Sequence, residues 1–224
     1  MQRSILAFVA VLVGVFGSSS SIVAAPFQNG SFESSSLPGP YQFLPSGDTS
    51  LTGWTVTDNG IEWAQSGFTG PGYLAHTGSF YIDVAGFTTP GGGIQQSFDT
   101  IPGDTYAVRF AAGNAVGFGR DGSGILEVSI AGATTPVNFT FADATSSPDL
   151  QWFEHGFTFV AGGPTATVKF FNGQNPLEHF AALDSVSVRP IPENAPTVYL
   201  LLFGMVALVC VSRSRRCSDS LLPK

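Results

Sequence analysis

Four acidic side chains could do hydrolytic chemistry if the fold brought two of them together: Glu62, Asp83, Glu127 and Glu154. A glycoside hydrolase needs a carboxylate pair about 5 to 9 Å apart. Any acidic chain rich in strands offers such candidates, however. Asp83 and Glu127 fall in alternating strand patterns and are expected to face solvent or to bond to turns, so no catalytic residue is assigned. A second kind of chemistry needs rings. A sugar packs its CH face on an aromatic side chain while its hydroxyls need polar partners. The stretch Glu62-Trp63, Phe68 and Tyr73, interleaved with Gly and Pro, puts rings on one loop, and Asn114, Arg120 and Asp121 put polar groups on another. Trp63, Tyr73, Asn114, Arg120 and Asp121 are therefore the candidate ligand-binding residues; the alternative for each ring is core filling, which is expected for Trp54 and Trp152. Other chemistries find no support. His76, His155 and His179 lack metal-ligand spacing, no Gly-x-Ser-x-Gly elbow occurs, and the glycine clusters at 91–93 and 122–124 lack the helix and Lys of a phosphate loop.

The composition narrows the setting. Of 224 residues, 43% are hydrophobic and 11% charged, against roughly 25% charged in an ordinary soluble domain. With 9 Lys and Arg against 16 Asp and Glu, a nucleic-acid partner is excluded from the expectations. Much of the apolar excess lies at the ends. Arg3, the apolar run from Ile5 to Phe16 and the small residues before Pro26 read as a secretory signal peptide over 1–25. At the other end, a Pro-rich linker over 190–197 leads into an apolar segment and an Arg cluster over 198–217. The apolar run from Val198 to Val211 would rise only about 21 Å as a helix, short of a hydrocarbon core of roughly 30 Å. Between these ends, residues 26–191 hold four basic and fourteen acidic side chains, a net charge of −10. Both cysteines, Cys210 and Cys217, lie in the tail, so no disulfide is expected in the domain.

The middle of the chain, 26–189, shows no helical periodicity. Short β-branched and aromatic runs are separated by turn residues such as Asp58-Asn59-Gly60, Pro102-Gly103-Asp104 and Gly162-Gly163-Pro164. Strands are expected at about 80–85, 93–100, 105–111, 125–130, 134–141, 152–160, 165–171 and 183–189. Tyr106, Val108 and Phe110 share one face, as do Ala166, Val168 and Phe170, with Arg109, Lys169 and Ser187 on opposite faces. This alternation predicts an all-β fold, an antiparallel jelly-roll-like β-sandwich. The Gly/Pro/Ser-rich stretches 34–51 and 66–79 are read as loops or irregular edge strands.

Two resemblances add to this reading. Pro192-Glu193-Asn194, the apolar segment and Arg213, Arg215 and Arg216 resemble the PEP-CTERM sorting tail, although that family has Pro where Asn194 stands and usually ends at its Arg cluster. The resemblance implies an exosortase-type processing enzyme as partner, transient membrane contact through the C-terminal segment, and a Gram-negative cell envelope or extracellular matrix. The alternative is a plain membrane anchor. Along the domain, Asn29-Gly30-Ser31-Phe32-Glu33, Gly53-Trp54, Gly60-Ile61-Glu62, Gly78-Ser79-Phe80-Tyr81-Ile82-Asp83, Ile94-Gln95-Gln96-Ser97-Phe98, Gly113-Asn114 and Leu183-Asp184-Ser185-Val186-Ser187-Val188 resemble the bacterial choice-of-anchor C family. That family is similar to a plant cell-wall domain family of unknown function, and both resemble galactose-binding-like carbohydrate-binding modules. The likeness implies a non-catalytic surface module whose partner is extracellular polysaccharide, and a structural calcium ion (Ca2+) held by Glu33 and Asp184. Alternation places Asp184 on the face of Val186 and Val188, where a buried carboxylate needs a cation or several hydrogen bonds. The alternative is that Asp184 caps backbone amides and Glu33 is solvated. A structural envelope protein without a small ligand is the rival reading for the whole chain.

Overall fold

The computed structural model describes residues 26–86 and 91–192. The signal segment 1–25 and the tail from Glu193 onward, with Arg213, Arg215, Arg216 and both cysteines, lie outside the described residues, while Pro192 is described and exposed. Eleven strands follow in chain order: β1 (Tyr41–Leu44), β2 (Thr55–Asp58), β3 (Ile61–Gln65), β4 (Phe80–Asp83), β5 (Gly92–Asp99), β6 (Thr105–Asn114), β7 (Ser123–Ala131), β8 (Val137–Ala144), β9 (Gln151–Val160), β10 (Thr165–Asn172) and β11 (Ala182–Pro190). Among the described residues there is no helix long and apolar enough to cross a membrane.

The strands form a six-stranded sheet in the order β1-β3-β4-β11-β6-β9 and a five-stranded sheet in the order β2-β5-β10-β7-β8. All named pairings are antiparallel. The chain passes repeatedly from one sheet to the other, which makes this an all-β, jelly-roll-like sandwich. The first such crossing after β2 is the turn Asp58-Asn59-Gly60, with φ 57° at Asp58 and 104° at Gly60; a Cβ at Gly60 would also lie 2.7 Å from the Leu44 carbonyl oxygen.

Inward residues of the two sheets build one core. Val108 and Phe110 of β6 meet Val168 and Phe170 of β10, together with Trp54, Trp63, Ile82, Ile94, Phe98 and Leu183, all nearly inaccessible to water. Arg109 is exposed and Lys169 half-buried on the opposite faces, as alternation requires. The segment Asn29-Gly30-Ser31-Phe32 closes one edge of this core. The Trp54 indole donates to the Asn29 carbonyl at 2.8 Å and the Trp63 indole to the Phe32 carbonyl at 3.0 Å. Gly30 has to be glycine, because a Cβ there would stand 1.8 Å from the Val186 carbonyl oxygen.

All eight expected strands are present, with ends moved by a few residues. The three others, β1 to β3, are four or five residues long, too short to show a period. One expectation about orientation is corrected. The β6–β11 register shifts between Asp184 and Ser187, and Ser185 takes φ 53°. This bulge inverts the alternation: Leu183 and Val186 both face the core, so Asp184 lies on the opposite face from Val186 and Val188.

Candidate functional site

The outer face of the six-stranded sheet carries the polar side chains of interest, and it divides into two halves. Over β3 and β4, the connections 66–79 and 173–181 fold down to bury a second apolar cluster, including Ala64, Tyr73, Tyr81, Leu150, Phe180 and Ala182. Within it, register puts Glu62 directly opposite Asp83. Asp83 Oδ1 accepts the amides of Ala85 and Gly86 at 3.0 and 3.2 Å, and Oδ2 lies 3.3 Å from the Arg120 guanidinium. Arg120 also donates to the carbonyls of Pro176 and Gly86 and stacks over the Phe180 ring. Tyr41 donates to Glu62, and burial with that neighbour raises the Tyr41 hydroxyl above its ordinary range. Burial pushes Asp83 up to about 7, with Glu62 adding to it against the pull of Arg120. The free space there is about 20 Å³, room for one water molecule.

The ligand-binding residues expected from the sequence are corrected on this geometry. Trp63 is 2% exposed and stacked on Phe80 with ring centroids 4.1 Å apart. Tyr73 is buried against Phe180, and Asn114 against Gly124. Arg120 is an internal clamp, 4% exposed. Each is an outer-face or core residue that the loops cover, so none offers a free ring or donor to a ligand. Asp121 does reach solvent; it accepts from the Ser123 amide and hydroxyl, which hold its carboxyl below the usual range. The two loops do meet, as the Tyr73 and Phe118 rings lie 5.5 Å apart. On these two loops the exposed rings are instead Phe68 and Phe118, 51% and 56% exposed.

The other half of the same face, over β11, β6 and β9, is open. A groove of about 570 Å³ runs across it, lined by His76, Arg109, Glu154, Thr158, Ser185 and Ser187 among others. Its depth comes from small residues: Ala107 and Ala111 on β6, Gly156 on β9 and the two serines on β11. Arg109 is flanked in register by Ser187 on one side and Gly156 on the other. At one end, His76 Nδ1 shares a hydrogen bond of 2.8 Å with Ser185 Oγ, and its Nε2 lies 3.6 Å from Glu154. The sequence marked Arg109 and Ser187 only as outward-facing. Recognising a groove required knowing which three strands are neighbours.

Glu33 and Asp184 converge on the turn that precedes β4. Glu33 Oε1 accepts the amides of Ser79 and Phe80 at 2.8 Å each, and Asp184 accepts those of Thr77 and Ser185. Gly78, with φ 70°, leaves room for the Glu33 carboxylate, since a Cβ there would stand 2.4 Å from Oε1. Asp184 is 0% exposed; burial, with Glu33 nearby, raises it to about 7 despite its amide donors. Glu33 Oε2 has no partner among the described residues. Two hard anionic oxygens suit calcium. No group of three or more His, Cys, Asp or Glu placed to hold a metal ion occurs among the described residues, so a cation here would draw its other ligands from backbone carbonyls and water. Elsewhere, Glu127 lies exposed on the outer face of the five-stranded sheet. Of the four carboxylates considered for hydrolysis, only Glu62 and Asp83 form a directly opposed pair.

A two-sheet antiparallel domain with an open, polar-walled groove on its six-stranded sheet is thus the class of molecule described. Residues 25–189 match the family model "Protein of unknown function (DUF642)", and the chain belongs to that family. No curated protein matches the chain in sequence. Among solved structures it is similar to TmCBM61 in complex with β-1,4-galactotriose, at 13% identity and TM-score 0.43 over 75% of this chain and 99% of that one. It is also similar to the CBM22-1 xylan-binding domain from Paenibacillus barcinonensis Xyn10C, at 12% identity and TM-score 0.41 over 68% and 94%. A third, arabinose-bound MgGH51 α-L-arabinofuranosidase, gives 16% identity and TM-score 0.45 over 75% of this chain and 26% of that one.

Proposed function

We propose that this protein is an exported, non-catalytic surface module that binds extracellular polysaccharide in the groove over β11, β6 and β9. The groove itself carries the reading: about 570 Å³ of open space with a small-residue floor and hydroxyl, imidazole, guanidinium and carboxylate groups on it. That volume falls in the range of ligand sites, and the mixture suits a polyhydroxylated chain. Catalysis has no comparable support, because the opposed pair Glu62 and Asp83 is engaged internally beside a space for one water. Export and sorting rest on the ends of the sequence. The signal segment, the PEP-CTERM-like tail and the choice-of-anchor C resemblance together favour delivery to a Gram-negative cell surface or matrix, with an exosortase-type enzyme acting near Pro192-Glu193. The intact mass of the protein recovered from that surface reads out the cut.

The test is retention of the purified protein on the exopolysaccharide of its host. Ser187→Leu fills the groove floor with an apolar side chain at a half-buried position; retention should fall sharply while the circular dichroism spectrum is kept. A second reading, a structural envelope protein, is favoured by four exposed apolar side chains on the neighbouring loops, Phe68, Leu74, Phe118 and Leu177, which suit contact with another protein. Self-association without any retained polysaccharide would select it.

Calcium at Glu33 and Asp184 belongs to the same proposal, as a stabiliser of the turn beside the groove. It is supported by two carboxylates, 151 positions apart in the chain, meeting at one turn, and by the unpartnered Glu33 Oε2. Chelation should lower the melting temperature of the protein, and Glu33→Gln should abolish the difference between calcium and chelator. An unchanged melting temperature on chelation contradicts it.

A further inference from the structure

The groove holds a charge that the rest of the domain lacks. With fourteen acidic and four basic side chains in 26–191, the domain as a whole repels anions. Two of its four cations are neutralised. Arg120 is buried against Asp83, and Lys169 Nζ lies 2.8 Å from Asp58 and 5.2 Å from the centre of the Phe171 ring. The other two stand on one face. Arg109 lines the groove, opposite Ser187 in register, and Arg189 follows two positions along β11 on the same outward side. Neither makes an ion pair among the described residues. Around Arg109 the neighbouring outward positions are Ala107, Ala111, Gly156 and Ser187, so nothing large screens its guanidinium from a ligand.

From this arrangement we propose that the groove recognises the carboxylates of an acidic polysaccharide, a chain containing uronate residues, with Arg109 as the principal contact and Arg189 beside it. The proposal rests on the polysaccharide-binding reading above and names its ligand class. A guanidinium presents a planar fork of N–H donors that matches a carboxylate in a two-point contact, stronger than a bond to a neutral hydroxyl. The hydroxyls of Thr158, Ser185 and Ser187 remain for the sugar ring. Glu154 stands at the end of the groove near His76, and its charge orients the chain by keeping uronate carboxylates toward Arg109 and Arg189. Neutral glycans would gain from the guanidinium groups only the weaker bonds to hydroxyl oxygens.

The experiment compares affinity electrophoresis of the purified full-length protein in gels containing polygalacturonate, alginate, fully methyl-esterified polygalacturonate, or neutral xylan. Esterification removes the charge and keeps the backbone. Expected are retardation by one or both uronate polymers, loss of it on esterification, and weakening with added salt. Arg109→Gln should bind about tenfold more weakly, the size of one charge-assisted contact, with an unchanged melting temperature because the side chain is exposed. Arg189→Gln should weaken binding less. Equal retardation by the neutral polymers, unaltered in Arg109→Gln, overturns the acidic ligand class and leaves the polysaccharide reading standing. Retardation by none of the four, together with no retention on the host exopolysaccharide, overturns both.

Discussion

Asp83 keeps its carboxylate inside the protein only by sharing it with Arg120 and two amides. Burial still raises it to about 7, whereas in the unfolded chain such a group titrates near about 4. The folded state therefore binds more protons than the unfolded state between those limits, and stability must fall as pH rises through them. Asp184, raised to about 7 for the same reason, adds a slope of the same sign when no cation is bound. In chelator, the urea midpoint should be lower at pH 8 than at pH 5.5, and Asp83→Asn should flatten the dependence. A midpoint that rises over this interval would show that Arg120 keeps Asp83 fully ionised. The sequence placed Asp83 at a solvent-facing or turn-bonded position. Its turn bonds are present, but nothing local in the chain announces Arg120, which arrives from 37 positions away.

At the scale of elements, alternation is readable in long regular strands such as β6 and β10. It is unreadable in β1 to β3, which is why Trp63 reads from sequence as a ring on a loop. Within β3 it alternates with Glu62 and Ala64 and points into the core beside Ile61, yet five residues give too little period to separate from the surrounding glycines. The bulge at Ser185 was unreadable for a different reason. A residue other than glycine with positive φ leaves no mark in composition, and one inserted residue inverts every face beyond it. Ser185→Val, whose branched side chain the left-handed region excludes, should favour simple alternation, turning Asp184 toward the core if Val186 and Val188 hold their places. Loss of soluble, folded protein by circular dichroism is expected, while Ser185→Gly, which relieves the left-handed backbone, should fold at least as stably. A well-folded Ser185→Val variant would show that the bulge does not set the register.

At the scale of the whole molecule, charge and shape divide the two faces of the sandwich differently from the sequence reading. Net charge speaks of solubility and cation binding, and the sequence points to rings and polar groups on the connecting loops, Trp63, Tyr73, Asn114, Arg120 and Asp121, as the binding surface. Those loops instead close a second core over one half of the six-stranded sheet, leaving the other half open with Arg109 on its floor. Sequence alone could not separate these halves, because strand order β4-β11-β6-β9 joins pieces distant in the chain. The most direct measurement of the binding claim is a titration of the isotopically labelled protein with oligosaccharides of the polymer it retains, followed through backbone amide shifts. Saturable changes should concentrate at Ala107–Ala111, Glu154–Thr158 and Ser185–Ile191. Changes confined to β7, β8 and β10, or no saturable change with any retained glycan, would contradict a ligand site in this groove.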